Sequence, residues 1–210
     1  MRILELFKGT GSITNFFKND TDVEVISLDI LSKYNPTYCC DIMDFDYKQY
    51  EIGYFDYIWA SPECKVFSKL QFTHIGRKWK NKEELEQAQI DNKIFINKTI
   101  EIIDYLKPNH YFIENPLYSA IWNHIDNKNY IDNFVIVDYC YFGTKYKKPT
   151  KILTNKILDN KRCSCKTHKF CIGIGRGSSQ FNKGQSGDET NTDERYSIPV
   201  KLIDYLFTNT

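Results

Sequence analysis

The sequence predicts an α/β fold with a mainly parallel sheet and helices on both faces. Two observations carry that prediction. Short apolar, strand-like runs alternate with helical stretches from the first residue to about 155, and one long central segment has helical rather than strand spacing. Arg2 to Phe7 (RILELF) reads as a strand, KGTGS as a turn and ITNFFKN as a helix start. Val23 to Leu28 (VEVISL) is a second strand ending at Asp29, and a short extended run precedes Asp41. Tyr54 to Ala60 (YFDYIWA) is closed by Ser61-Pro62. From Asn81 to Leu106, apolar residues at Leu85, Ala88, Ile94, Phe95, Ile102, Ile103 and Leu106 suit a long amphipathic helix, stopped by Pro108. His110 to Ile113 is a strand leading into Glu114-Asn115-Pro116, and Phe134 to Tyr139 and Lys151 to Thr154 are the last two strands. YSIPVKLIDYLF reads as a proline-started helix packing back on the body.

The chain has 210 residues, which fits one domain over 1–210 with a core of ordinary size. Residues about 156 to 193 break the pattern, being rich in Cys, Gly, Ser, Asn and Thr, and read as an irregular insert. At 41% hydrophobic and 26% charged residues, a globular, water-soluble class is expected. No apolar stretch approaches the roughly 18–20 residues of a membrane-spanning helix, so no membrane partner is expected. The N-terminus lacks a secretory pattern, which places the protein inside a cell, and seven scattered cysteines then read as reduced thiols. The net charge of +1 does not advertise a nucleic-acid binder, but its distribution does more. Lys65, Lys69, Arg77, Lys78, Lys80 and Lys82 follow one another with no acidic residue among them, and a second basic stretch runs from Lys145 to Lys169 against the single Asp159. Such segments are either solvated loops or a local phosphate footprint.

Ligands of parallel α/β sheets bind beyond the carboxyl ends of the strands. The residues that matter are therefore the KGTGS turn, Asp29, Cys64 and Glu114. Gly9-Thr10-Gly11 lets the backbone approach a ligand closely, and a carboxylate at Asp29 can accept both hydroxyls of an adenosine ribose. Position 14 is threonine where a dinucleotide site has its third glycine, so a nucleoside without a pyrophosphate is expected; S-adenosylmethionine meets that description. Asp41-Ile42 is a candidate for the adenine edge, or Asp41 is a cap. Cys64, held by a proline turn after a strand, is a candidate nucleophile. Lys65 beside it favours the thiolate, and Glu114 at the end of the neighbouring strand can point into the same crevice as an acid.

RILELFKGTGS, VISLDI, CDIMDF, FDYIWASPECKVFS, YFIENP, VDYCYFGTKYKKPTKILTN and ERYSIPVKLIDYL fall in order like the motifs of the cytosine-5 methyltransferases, and the chain resembles the compact branch found in viruses, phages and some eukaryotic microbes. The resemblance covers nearly everything outside about 156–193. It implies a Rossmann-like S-adenosylmethionine-dependent methyltransferase fold with a seven-stranded sheet. It implies that Phe7, Gly9, Thr10, Gly11, Asp29, Ile30, Asp41, Ile42 and Pro62 hold the cofactor. Cys64 would add to carbon 6 of cytosine, Glu114 would serve ring nitrogen 3, and Lys148 would stand where the family has an arginine. Lys65, Ser68, Lys69, Arg77, Lys78, Lys147 and Arg176 would contact the nucleic acid, and the base would be flipped out of its helix.

Two departures stand out. The family's Pro-Pro-Cys is Pro62-Glu63-Cys64 here, which removes a stiffening proline and puts a carboxylate beside the thiol. Lys148 cannot form the planar fork of an arginine. RNA as substrate, or an inactive nucleic-acid-binding partner subunit, are the alternatives to a DNA methyltransferase. Within the insert, Cys163, Cys165, His168 and Cys171 have the ligand chemistry for a structural zinc, though the C-x-C start is tighter than a usual knuckle. Oligomeric state is not legible.

Overall fold

The structure is a computed structural model and describes residues 1–144, 146–163, 172–173 and 196–208. Strand β1 (Arg2–Leu6) lies at the middle of a seven-stranded sheet, paired in parallel with β2 (Glu24–Asp29) on one side and β4 (Tyr57–Ala60) on the other. Beyond β2 lies β3 (Tyr38–Cys39), and beyond β4 lies β5 (His110–Pro116). Then come β7 (Pro149–Thr154) and β6 (Phe134–Asp138), so the order is 3-2-1-4-5-7-6 with β7 alone antiparallel. The chain moves outward from β1 to β3 and returns on the other side of β1 at β4. That reversal opens a crevice at the carboxyl ends of β1 and β4, the place where a doubly wound, Rossmann-like sheet holds its ligand.

Alternation along each strand feeds two cores. Leu4, Leu6, Ile58, Ala60 and Ile113 meet Ile96, Ile100, Ile103 and Leu106 of the long helix α2 (Lys82–Leu106). On the other face Ile3, Trp59, Phe112, Val137 and Ile152 meet Ile13 and Phe17 of α1 (Ser12–Phe17) and Leu202, Ile203, Leu206 and Phe207 of α3 (Val200–Thr208). Helix α2 starts because Asn81 accepts the Glu84 N–H at 3.0 Å while Glu84 reaches back to the Lys80 N–H. It stops at Lys107, left-handed at φ +46°, whose N–H returns to the Ile103 carbonyl. Among the described residues no helix is long and apolar enough to cross a membrane.

The structure extends β5 through Glu114, Asn115 and Pro116, paired with Ile152, Lys151 and Thr150, where the sequence suggests a turn. The antiparallel partner β7 prolongs the ladder, and the chain leaves it after Pro116, which has no N–H to give. Most of the insert read at about 156–193 lies outside the described residues.

Glu5 interrupts the apolar run of β1 and is buried. Its carboxylate accepts the N–H groups of Ile13 at 3.1 Å and Thr14 at 3.2 Å, together with the Thr14 hydroxyl. Helix α1 begins at Gly11, which has no side chain to cap it, so the neighbouring strand supplies the capping acceptor. Replacing Glu5 with alanine leaves those donors buried, so Glu5→Ala should cost on the order of 3 kcal/mol in urea unfolding. Burial pushes the Glu5 carboxyl up from its ordinary value. The folded state then binds this proton more tightly than the unfolded chain, and stability should fall as pH climbs from the ordinary glutamate range through the raised value. The variant should lose that slope.

Candidate active site

The loop after β1 is built for close approach. Phe7 (φ +57°), Gly9 (φ +49°) and Gly11 (φ +71°) are all left-handed, a conformation costly for Phe7 and free for the glycines. The Gly9 N–H donates to Asp29 Oδ2 and the Leu31 N–H to Asp29 Oδ1, both at 2.8 Å, so one carboxylate ties the loop to the end of β2. Each oxygen keeps a free lone pair for a ribose hydroxyl. A Cβ on Gly9 would meet only the Phe7 carbonyl, at 3.9 Å, so the space above the loop is open to a ligand. These features fit an adenosyl group. Thr10 Oγ1 lies 3.2 Å from Ser197 Oγ, and the Ser12 hydroxyl accepts the Ile198 N–H at 2.9 Å, seating the segment before α3 on the same loop. Of the other residues assigned to the cofactor, Ile30 is exposed just past Asp29. The Asp41 side chain accepts the Met43 N–H at 2.9 Å in a turn, and Ile42 is buried in the core with Phe45.

At the ends of β4 and β5 the turn that carries Cys64 is held from four directions. Asn115 Nδ2 donates to the Pro62 carbonyl at 2.7 Å and Gln71 Nε2 to the Lys65 carbonyl at 2.8 Å. Gln89 of α2 donates to the Val66 carbonyl at 3.1 Å, and the Ala120 N–H to the Phe67 carbonyl at 2.8 Å. The rigidity that a second proline would bring is thus supplied by side-chain amides. Glu63, in that proline's place, is exposed and lies 3.9 Å from the exposed Lys65.

Glu114 is 5% exposed. Its Oε1 accepts the Tyr139 hydroxyl at 3.1 Å and lies 3.4 Å from Lys148 Nζ, which is 3.4 Å from the Tyr139 oxygen and 4.5 Å from that ring's centre. Both donors use Oε1, so Oε2 is left for a bound group. Burial pushes the Cys64 thiol up from its ordinary value, and the Glu114 carboxylate adds to the rise; Lys148 opposes it, and Glu63 contributes least. Thiol and carboxylate are therefore close enough to feel each other's charge. The cation acting on the thiol is Lys148. This corrects the expectation for Lys65, whose ammonium turns to Glu63.

The expected nucleic-acid contacts are spread wider. Ser68 accepts the Leu70 N–H at 3.3 Å and caps the short helical turn Lys69–His74; Lys69, Arg77 and Lys78 are exposed on that loop. Lys147 is 3.7 Å from buried Asp138, which also accepts Arg162 Nε at 3.0 Å. Arg176, Cys165, His168 and Cys171 lie outside the described residues; Cys163 donates its N–H to Asp138 Oδ2 at 2.8 Å. Among the described residues no group of three His, Cys, Asp or Glu side chains could hold a metal. Sequence reading missed Tyr139, Gln89 and Glu5. Two of them leave a trace, as polar residues at positions of apolar periodicity, whereas Tyr139 leaves none.

A left-handed, glycine-bearing loop tied to the end of β2, and a thiol beside a buried acid after β4 and on β5, thus lie at the carboxyl ends of neighbouring strands. Over 218 residues the chain is 34% identical to the probable DNA (cytosine-5)-methyltransferase of Frog virus 3 (isolate Goorha), covering 97% of both proteins. The chain belongs to the DNA (cytosine-5)-methyltransferase family. No protein-family model matches it. Among solved structures it is similar to the Entamoeba histolytica methyltransferase EhMeth (16% identity, TM-score 0.46, 77% of this chain and 56% of that one). It is also similar to a mutant of Spodoptera frugiperda DNMT2 (19% identity, TM-score 0.47, 83% and 55%). The chain spans about half the length of those structures, and likeness at this level bears on neither site nor substrate.

Alkylation of Cys64 followed by peptide mapping should accelerate with pH up to and beyond the ordinary thiol range. Glu114→Gln removes a charge that raises the thiol, so its profile should move to lower pH, while Lys148→Met should move it to higher pH. Shifts in the opposite sense would separate Cys64 from this pair. Tyr139→Phe, which frees Oε1 from its neutral donor, should lower kcat for methyl transfer by about tenfold, the equivalent of one hydrogen bond, with KM nearly unchanged in steady-state assays.

Proposed function

We propose that this protein transfers a methyl group from S-adenosylmethionine to carbon 5 of cytosine in DNA through an adduct with Cys64. The observation that carries the reading is the Cys64 thiol lying within electrostatic reach of Glu114 and Lys148, on a turn whose Pro62, Lys65, Val66 and Phe67 carbonyls are each held. The name of the Frog virus 3 relative, a probable DNA (cytosine-5)-methyltransferase, supports DNA as the substrate. The cofactor, held by Phe7, Gly9, Thr10, Gly11 and Asp29 with Pro62 at the border of the two sites, supplies an electrophilic methyl group.

The residues of the chain do the rest. A cytosine ring resists nucleophilic attack unless charge is absorbed at nitrogen 3. The Cys64 thiolate adds to carbon 6 as the 5,6 double bond shifts its electrons toward carbon 5 and the ring. Glu114, oriented through Oε1 by Tyr139 and Lys148, offers Oε2 with a proton to nitrogen 3. After carbon 5 is methylated, a water molecule takes its proton, the freed electron pair re-forms the 5,6 double bond and expels the thiolate, and nitrogen 3 returns its proton to Glu114. The thiol's raised value means that little thiolate exists before the base arrives; a cation near the pocket, here Lys148, favours its formation. A base within a duplex must first be flipped out, at a cost of a few kcal/mol. With about forty residues in place of a full target-recognition domain, the insert at about 156–193 is read as serving a short target.

Labelled S-adenosylmethionine incubated with matched DNA and RNA should label DNA, and an oligonucleotide carrying 5-fluorocytosine should be trapped covalently at Cys64 because it cannot lose its carbon 5 substituent. Cys64→Ala should abolish transfer and trapping while leaving cofactor binding unchanged. Label on RNA alone would change the substrate, and cofactor binding without label on either would make the chain an inactive partner subunit.

A further inference from the structure

Beyond the thiol pocket an open groove of about 440 Å³ runs between the catalytic loop and the outer strands β6 and β7. Its walls carry Phe72, Tyr118, Trp122 and Phe134, with Lys69 and Lys151 at its sides. Tyr118 is 58% exposed, and Phe72 and Phe134 are each more than 40% exposed, an unusual concentration of aromatic surface. The Lys69 ammonium is 4.6 Å from the centre of the Tyr118 ring, and the Lys151 ammonium is 4.1 Å from that of Phe134 and 5.3 Å from that of Trp122. Among the described residues no carboxylate lines the groove and neither ammonium has one within ion-pair distance, although Asp132 is near enough to act on Lys151. Burial pushes half-buried Lys151 down from its ordinary value and Asp132 only partly offsets this, so a bound anion would further favour its charged form.

The groove is joined to the catalytic turn by direct bonds. The Ala120 N–H on its floor holds the Phe67 carbonyl, and Trp122 Nε1 donates to the Pro116 carbonyl at 3.0 Å. Lys69 and Phe72 belong to the loop that follows Cys64. The groove and the Cys64 turn thus share one loop and one hydrogen-bonded wall.

We propose that the groove binds one nucleotide of the target strand next to the flipped cytosine, its base against Tyr118 and Trp122 and its phosphate between Lys69 and Lys151. The volume falls within the roughly 300–1,000 Å³ of small-ligand sites, and rings flanked by unpaired cations are the means by which proteins take single-stranded bases without reading their sequence. The proposal rests on the nucleic-acid reading of the thiol pocket and adds to it a subsite for the neighbouring base.

The test uses the full chain and a fluorescein-labelled single-stranded oligonucleotide with one cytosine, followed by anisotropy across a salt series and by methyl transfer. Tyr118→Ala should weaken binding by about tenfold or more, the worth of one stacked base. Lys151→Gln should weaken it and flatten the salt dependence by about 0.7, the slope of one phosphate contact on a single strand. In both variants KM should rise while kcat at saturation and cofactor affinity stay at wild-type values. Wild-type affinity in both variants, with wild-type methylation intact, overturns the groove and spares the enzyme reading. So does a wild-type dimer that Tyr118→Ala dissociates without changing oligonucleotide binding. A wild-type protein that neither binds nor methylates the oligonucleotide, either alone or annealed to its complement, overturns both.

Discussion

A nucleophile on a turn has value only if the turn cannot drift, and the fold concentrates its polar side chains on that requirement. The carbonyls of Pro62, Lys65, Val66 and Phe67 are bound by Asn115, Gln71, Gln89 and the Ala120 N–H. Those partners come from β5, the loop itself, α2 and the segment after β5. The thiol is therefore referenced to the sheet, to the helix layer and to the groove beyond it. Because the amides are buried or half-buried, each bond is stronger than it would be in water, and loss of any one would leave an unsatisfied group.

The same logic bears on the glutamate that stands where the motif this sequence resembles has a second proline. A proline stiffens a turn from within, by fixing φ. Here stiffness is imposed from outside, and Glu63 is free to face solvent, its charge partly answered by Lys65. Of the charges acting on the thiol it contributes least. Charge control passes to Lys148, which stands beside both Glu114 and Tyr139. A compact ammonium lacks the fork of a guanidinium, and the Tyr139 hydroxyl provides the second donor that a fork would have supplied. On this account, the two departures that make the sequence look catalytically weak are each compensated by a neighbour.

Burial decides the electrostatics throughout. Glu5 and Glu114 are both sheltered carboxylates in the sheet, yet their surroundings differ. Glu5 is bonded to backbone N–H groups and a hydroxyl, with Lys8 acting from further off, and serves as a helix cap, while Glu114 meets a cation and a phenol through one oxygen. Asp29 divides its oxygens between two loops and thereby joins the cofactor cradle to the sheet. In each case the carboxylate's role follows from which donors the topology brings to it.

The sequence by itself determined the class of sheet and the long helix, read from Asn81 to Leu106 and found over Lys82–Leu106, because those depend on local periodicity and on turn residues that recur at strand ends. Arg2 to Phe7 and Tyr54 to Ala60 were legible as strands for that reason, and the structure keeps them, shorter, as Arg2–Leu6 and Tyr57–Ala60. Tertiary structure alone decided that Glu114 lies within a strand rather than after it, since only the antiparallel partner β7 prolongs that ladder. It likewise chose Lys148 over Lys65 as the cation for the thiol, placed Tyr139 against Glu114 and opened the aromatic groove. Each of these joins residues that are distant along the chain or points a side chain in a direction that no local pattern encodes; contacts of that kind exist only once the sheet has closed.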